Sequence, residues 1–183
     1  PRQRNPVQEG ETAMMVNGLA WFLAWLFARA ALHKLRAVDY YRVLIGRYLG
    51  TAGSAPAVYL LGAVESVVAV LLLLPHLQRL GLVLAALFLL FYGALMALKI
   101  LFGSADMQCG CSGPDSPLKL SWALVLRNLV CAGLALLALA LVPVPASAWL
   151  HLPGSFGVAL IAATAYLFCE ALISNAQFMA GED

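Results

Sequence analysis

The first candidates for chemistry are two cysteines separated by a single glycine, Cys109-Gly110-Cys111, in a stretch rich in Gly, Pro, Ser and Asp. A disulfide across one residue would close a small ring, and Gly110 supplies the backbone freedom that such a ring demands. Strain in that ring makes the bond easier to reduce, which suits thiol–disulfide exchange rather than scaffolding. The spacing therefore predicts Cys109 and Cys111 as a catalytic redox pair.

Two other interpretations of this pair stay open. Two thiolates can bind a soft metal such as Cu(I) or Zn(II), but such a site needs further ligands. The stretch contains no third cysteine and no histidine, so we expect no bound metal. A pair with no chemistry is the other alternative. Cys131 and Cys169 lie within apolar segments, where a lone cysteine usually behaves as a small hydrophobic residue.

Three lysines are predicted to support the pair, because they fall near the ends of apolar segments on the same side as the C-G-C stretch. They are Lys34, Lys99 and Lys119. A nearby cation stabilises the thiolate, which is the form of cysteine that attacks a disulfide. The alternative is that each lysine is an ordinary anchor at the membrane interface, with its stem along apolar surface.

Ionisable side chains also occur inside the apolar segments, where a charge is costly and usually has a partner. Glu65 falls about 15 Å, and Arg127 about 10 Å, from the same end of the segments that contain them, at about 1.5 Å per residue. We therefore predict a Glu65–Arg127 pair. It is either structural, with Asn128 completing its hydrogen bonds, or involved in quinone or proton chemistry. Arg29 and Glu170 are close enough to segment ends to snorkel toward the membrane interface.

The composition places these residues in a membrane protein. Of the 183 residues, 63% are hydrophobic and only 11% are charged, which is far too apolar for a soluble domain of this size. Five apolar segments approach or reach the length of about 20 residues that a helix needs to cross a bilayer. The predicted spans are 13–32, 55–74, 80–98, 120–142 and 154–173. The first is too long for a signal peptide and lacks a small-residue cleavage site, so we expect it to be retained.

These spans make up one predicted domain of the all-α class, a polytopic membrane helical bundle over residues 13–174. Residues 1–12 are predicted to be a cytoplasmic tail, residues 103–119 the C-G-C loop, and residues 175–183 a C-terminal tail. The net charge of +2, without a basic run interleaved with aromatic residues, argues against a nucleic-acid partner. The lipid bilayer is the expected environment.

Several short motifs together resemble the MauE family of methylamine utilisation proteins, within the wider group of DoxX-like redox-associated membrane proteins. They are ALHKL at the end of the first span, the connector YYRVLIGRYLG, a glutamate in the second span, C-G-C-S-G, and LSWALVLRN opening the fourth span. The resemblance covers roughly residues 20–142. The combination of C-G-C with L-S-W and R-N is its most specific part.

The resemblance implies a four-helix core similar to that of vitamin K epoxide reductase, followed by a fifth, C-terminal transmembrane helix. It also implies work alongside a thioredoxin-like (MauD-like) partner in forming the disulfides of a secreted client, the small subunit of methylamine dehydrogenase, which carries tryptophan tryptophylquinone. Cys109 and Cys111 would be the redox pair, with family motif positions at Lys34, Glu65, Arg127 and Asn128. One departure is that the connector 35–54 lacks the second cysteine pair of vitamin K epoxide reductases.

Three functions remain compatible with these residues. We favour a thiol–disulfide oxidoreductase that exchanges a disulfide with a periplasmic thioredoxin-like protein and passes the electrons onward. The sequence requires no cofactor, although a quinone within the bundle is a candidate acceptor. The alternatives are a non-catalytic membrane anchor or assembly factor for that partner, and a small transporter of a metal or sulfur species.

The orientation in the membrane is predicted from two conflicting signals. The side of the C-G-C loop carries six lysines and arginines and the other side carries three, so the positive-inside rule places the loop in the cytoplasm. Disulfide formation, however, belongs in the periplasm. DYYRVLIGRY has the composition of an interfacial amphipathic helix, whose arginines are a weaker guide to orientation. We therefore predict a bacterial inner-membrane protein with its C-G-C loop facing the periplasm.

Overall fold

The structure, a computed structural model, describes residues 6–49, 53–103, 107, 110, 113, 118–141 and 152–180. The described residues contain six α-helices: α1 (Pro6–Arg36), α2 (Val38–Leu49), α3 (Ala55–Leu73), α4 (Gln78–Leu101), α5 (Trp122–Leu141) and α6 (Leu152–Met179). Cys109 and Cys111 lie outside the described residues, whereas Gly110 between them is included. Of the C-G-C sequence, the structure therefore describes Gly110.

Among the described helices, all except α2 are long and apolar enough to cross a bilayer. This confirms the prediction of an all-α, multi-pass membrane bundle. α1 has 31 residues and α6 has 28, so both are longer than their predicted spans. At about 1.5 Å per residue, each exceeds the hydrocarbon thickness of about 30 Å. Helical hydrogen bonding continues through polar residues, and hydropathy therefore does not mark the ends of these two helices.

The transmembrane helices form the predicted arrangement of four plus one. α1 and α4 each pack against both α3 and α5, which makes a four-helix core with α3 and α5 across one diagonal. α6 packs on the outside of this core, along α1. α1, α4 and α6 end, and α3 and α5 begin, at the same end of the bundle. We call it the loop end, because α2 and Gly110 of the C-G-C loop lie there.

The connector between α1 and α3 contains the helix that its sequence predicts. Along α2, Tyr41 and Leu44 are buried, while Arg42 and Val43 are exposed. Two buried positions three residues apart give the helix one inward face. α2 therefore covers the loop end of the core with its aromatic and apolar side, and its arginines point away from the core.

α6 is held to the core by polar and aromatic contacts with α1. The Arg29 guanidinium donates to both carboxylate oxygens of Glu170, at 3.0 and 3.2 Å. One turn away, the Tyr166 ring lies 6.1 Å from the ring centroids of both Phe22 and Trp25. The sequence predicted only that Arg29 and Glu170 are close enough to helix ends to snorkel; their ion pair was not predicted, and it forms because α6 packs beside α1.

Candidate functional site at the loop end of the bundle

A buried ion pair joins α1 to α3 in the core of the loop end. The Lys34 ammonium donates to both carboxylate oxygens of Glu65, at 2.8 and 2.9 Å. The two side chains have exposed fractions of 9% and 0%, so both charges are removed from solvent. Charge-assisted hydrogen bonds of this length are among the strongest in proteins, and they offset part of the cost of burying both ions.

Two tyrosines complete the surroundings of this pair. The Tyr92 hydroxyl of α4 donates to Glu65 Oε1 at 2.6 Å. The Lys34 ammonium lies 5.5 Å from the ring centroid of Tyr41 and 5.7 Å from that of Tyr92, within the range of cation–π attraction. Helices α1, α2, α3 and α4 thus meet at one polar cluster, which we define as Lys34, Tyr41, Glu65 and Tyr92.

The predicted pairing of Glu65 with Arg127 was wrong, because the structure gives Glu65 a different cation. α5, which carries Arg127, lies across the core diagonal from α3, whereas α1 packs directly against α3. Lys34 therefore reaches Glu65. The Arg127 guanidinium instead lies 4.8 Å from the ring centroid of Tyr166 on α6. Both residues are buried as predicted, but they belong to different contacts.

The remaining predicted supporting residues are spread around the loop end. Asn128 is buried and its amide donates to the Met96 sulfur at 3.6 Å. The Lys99 ammonium donates to the backbone carbonyl of Arg47 at 3.1 Å. The main chain of Lys119 exchanges two hydrogen bonds with the Gln177 side chain near the end of α6, at 3.0 and 2.9 Å. The three lysines share one end of the bundle, but only Lys34 enters the polar cluster.

The centre of the C-G-C sequence is held directly above this cluster. The Tyr41 hydroxyl donates to the Gly110 carbonyl at 2.8 Å. Gly110 has a φ of +73°, a backbone conformation that favours glycine, and a Cβ there would have to displace the end of the Leu44 side chain. Further along the loop, Gly113 packs against the imidazole of His33. The predicted backbone freedom of Gly110 is therefore used in the fold.

A cavity of about 430 Å³ lies between the polar cluster and the bilayer-facing side of the bundle. All four residues of the polar cluster line it, as do Gly110 and Asn128, and most of the remaining lining is apolar. Leu60 on α3 and Phe91 on α4 also line the cavity, although their exposed fractions are 67% and 54%. The cavity therefore opens sideways between α3 and α4, at a level where the bundle faces lipid.

Sequence reasoning missed Tyr92, Tyr41 and His33 as members of this site. Tyr92 had a detectable signal, because a tyrosine inside an apolar helix needs a partner for its hydroxyl. Tyr41 lies in the aromatic connector that the family motif includes, but its contact with Gly110 depends on how α2 folds back over the core. The sequence around His33 does not indicate the contact of this side chain with Gly113, which lies 80 positions later.

Comparisons with known proteins agree on one family. The model of the family described as methylamine utilisation protein MauE matches residues 12–143. The chain is 41% identical to methylamine utilization protein MauE of Paracoccus denitrificans and 36% identical to that of Paracoccus versutus, over 67% of both chains in each case. It is 37% identical to the MauE of Methylophilus methylotrophus over 63% of this chain and 62% of the relative. No solved structure matches significantly, so the likeness to vitamin K epoxide reductase stays a prediction.

Proposed function

Because the chain belongs to the MauE family of methylamine utilisation proteins, we propose that it is a membrane thiol–disulfide redox protein whose Cys109 and Cys111 alternate between dithiol and disulfide. The observation that carries this proposal is the fixed position of Gly110. Tyr41 holds its carbonyl above a buried ion pair, and the positive φ favours glycine at this position. The sequence neighbours of Gly110 on both sides are cysteines, Cys109 and Cys111.

The proposed reaction is a two-electron exchange with a thioredoxin-like protein. A thiolate of the reduced partner attacks the Cys109–Cys111 disulfide and forms a mixed disulfide, which the second thiol of the partner then resolves. The partner leaves with its own disulfide, and Cys109 and Cys111 keep the two electrons and two protons as a dithiol. The oxidised partner can then form disulfides in a secreted client, which we propose to be the methylamine dehydrogenase small subunit.

The proposed location follows from this chemistry. Disulfides are formed and kept in the periplasm, so the loop end would face the periplasm of a bacterial inner membrane. Arg42 and Arg47 belong to α2 and are exposed, away from the core. They are suited to anchor that helix at the interface and are a weak guide to orientation. Lys34 is neutralised by Glu65, which removes one further charge from the positive-inside count.

Alkylation-shift gels in native membranes test the proposal. In a Cys131→Ala/Cys169→Ala background, Cys109 and Cys111 are the remaining cysteines. We expect both to be alkylated after reductant and neither after a mild oxidant, with reversal on repeated treatment. A Cys111→Ser form should trap a thioredoxin-like protein as a mixed disulfide, whereas a Cys169→Ser form of the otherwise native chain should cycle normally.

Two results would contradict this function. If both thiols stay unreactive after reductant and after oxidant, the loop performs no exchange and the chain is an anchor for its partner. If the thiols bind zinc or copper reversibly, with thiolate-to-metal absorption and without a disulfide, the transporter alternative is favoured instead.

A further inference from the structure

We infer that the cavity beside the polar cluster binds a lipophilic quinone, which accepts the two electrons of the reduced Cys109–Cys111 pair. This inference rests on the proposed function, because oxidation of a dithiol needs a two-electron acceptor. It assigns a site and recognition groups to that acceptor. The site consists of the polar cluster at one wall and the opening between α3 and α4 at the other.

The shape of the cavity indicates a ligand that arrives from the bilayer. Its volume of about 430 Å³ falls in the range of small-molecule sites. The side chains at its opening, Leu60 and Phe91, are exposed on transmembrane helices and so face lipid. A ligand that partitions into the membrane can enter between α3 and α4 without crossing a charged surface.

The polar wall indicates that the ligand carries an acceptor oxygen. Two of the three N–H bonds of the Lys34 ammonium are directed at Glu65. The third remains for a ligand, since the described residues offer Lys34 no further hydrogen-bond acceptor. A quinone carbonyl fits this donor, and its flat ring fits the aromatic walls of Tyr41, Phe88 and Tyr92. A lipid acyl chain would fill the apolar part but would leave this donor unused.

The position of Gly110 connects this wall to the redox pair. Gly110, which lies between the two cysteines in the sequence, lines the cavity in which the ring would lie. In the reaction, the S–H bonds of Cys109 and Cys111 break and an S–S bond forms. Two electrons and two protons pass to the quinone, whose two carbonyl groups become the two hydroxyl groups of a quinol. Lys34 would stabilise the negative charge that develops on the nearer oxygen.

Binding of decylubiquinone to the purified full chain in nanodiscs tests this site. The measurement uses a Cys109→Ser/Cys111→Ser form, so that binding is read without any redox reaction. In that background, Lys34→Met/Glu65→Leu removes both charges together and avoids leaving one of them buried alone. Ala30→Leu fills the cavity from α1 and leaves the polar cluster intact. The double change should weaken binding by about tenfold or more, the effect of losing a hydrogen bond to a charged group. Ala30→Leu should weaken binding as well, because the added side chain occupies space in the cavity.

Matched controls lie outside the cavity. Lys99→Met removes another loop-end lysine, and Ala63→Leu adds the same bulk to an exposed position of α3; neither residue lines the cavity. Both should bind decylubiquinone like the parent. Equal binding by the parent and the two cavity variants would overturn the inference, as would native mass spectra that show a retained phospholipid that decylubiquinone fails to displace.

The two proposals fail in different ways. If Cys109 and Cys111 cycle with chemical oxidants but the protein does not bind decylubiquinone, this inference is overturned and the proposed function stands. If decylubiquinone binds at the cavity but the two thiols never react, the proposed function is overturned, and with it the role of the quinone as their electron acceptor.

Discussion

A carboxylate without exposed surface must either find a cation or take up a proton, and Glu65 finds its cation in Lys34. The Tyr92 hydroxyl adds a third hydrogen bond to the same carboxylate. Removal of one partner from such a pair leaves a buried charge without compensation, which costs about 3–5 kcal/mol. Removal of both charges together costs much less. The pair should therefore show strong coupling in a mutant cycle.

We expect Lys34→Met and Glu65→Gln each to lower the thermal stability of the purified bundle, and the double variant to recover part of the loss. The coupling should exceed about 1 kcal/mol, as for residues in direct contact. Thermal unfolding in detergent provides the measurement. The matched cycle uses Glu65→Gln with Arg127→Gln, whose coupling should be clearly smaller. The opposite order, with stronger coupling between residues 65 and 127, would show that the observed pairing is wrong.

For single residues, the sequence predicts which side chains are unusual in a membrane helix, but it does not predict which of them are in contact. Glu65 and Arg127 stand out because charges are rare inside apolar segments, and both are buried. Their partners depend on which helices are neighbours, and depth along a span carries no information on that. Lys34 was expected either to support the thiols or to anchor its helix at the membrane interface, and its pairing with Glu65, 31 residues later, was not predicted.

Among the helices, α6 is the one whose position depends most on a few contacts. Within the described residues of α6, only Ser155 and Tyr166 are buried. The helix approaches α1 closely at Gly18, where a Cβ would lie 2.5 Å from the Val158 Cβ and 2.8 Å from the Ser155 carbonyl oxygen. Close approach at a small residue is a common basis of packing between transmembrane helices.

Gly18→Leu should therefore displace α6 and destabilise the protein by about 1–3 kcal/mol, the usual cost of overpacking. Thermal unfolding measures the loss, and an engineered cross-link between α1 and α6 reports the displacement. Gly157→Leu is the matched control, because a Cβ at Gly157 meets no atom within 4 Å among the described residues. Equal stability losses in the two variants would mean that α6 does not depend on this contact.

The existence of each transmembrane helix could be predicted from hydropathy, and so could α2 from its alternation of aromatic and basic residues. The ends of α1 and α6 could not, because polar residues such as Gln8 and Gln177 continue the helices beyond the apolar segments. The face of α6 that packs against α1 could not be predicted either. Its sequence is apolar all round, so it has no stripe that distinguishes the face toward α1 from the face toward lipid.

For the molecule as a whole, the orientation in the membrane decides whether the proposed exchange can occur. A membrane-impermeant maleimide applied to intact spheroplasts should label reduced Cys109 or Cys111 in the Cys131→Ala/Cys169→Ala background. His76 is exposed at the opposite end of the bundle, so His76→Cys in a cysteine-free chain should be labelled only after lysis. The reverse pattern would place the loop in the cytoplasm, as the count of basic residues indicates.

The Lys34–Glu65 contact also constrains the order in which the chain enters the bilayer. A charged side chain at the centre of an inserting helix adds about 3 kcal/mol to its transfer from the translocon. α3 bears this cost alone if it partitions into lipid as a single segment. α1 is synthesised before α3 and presents Lys34, whose ammonium reaches both oxygens of the Glu65 carboxylate. Insertion of α3 is therefore favoured beside an already inserted α1, and the biogenesis of the bundle should begin from this helix pair rather than from independent spans.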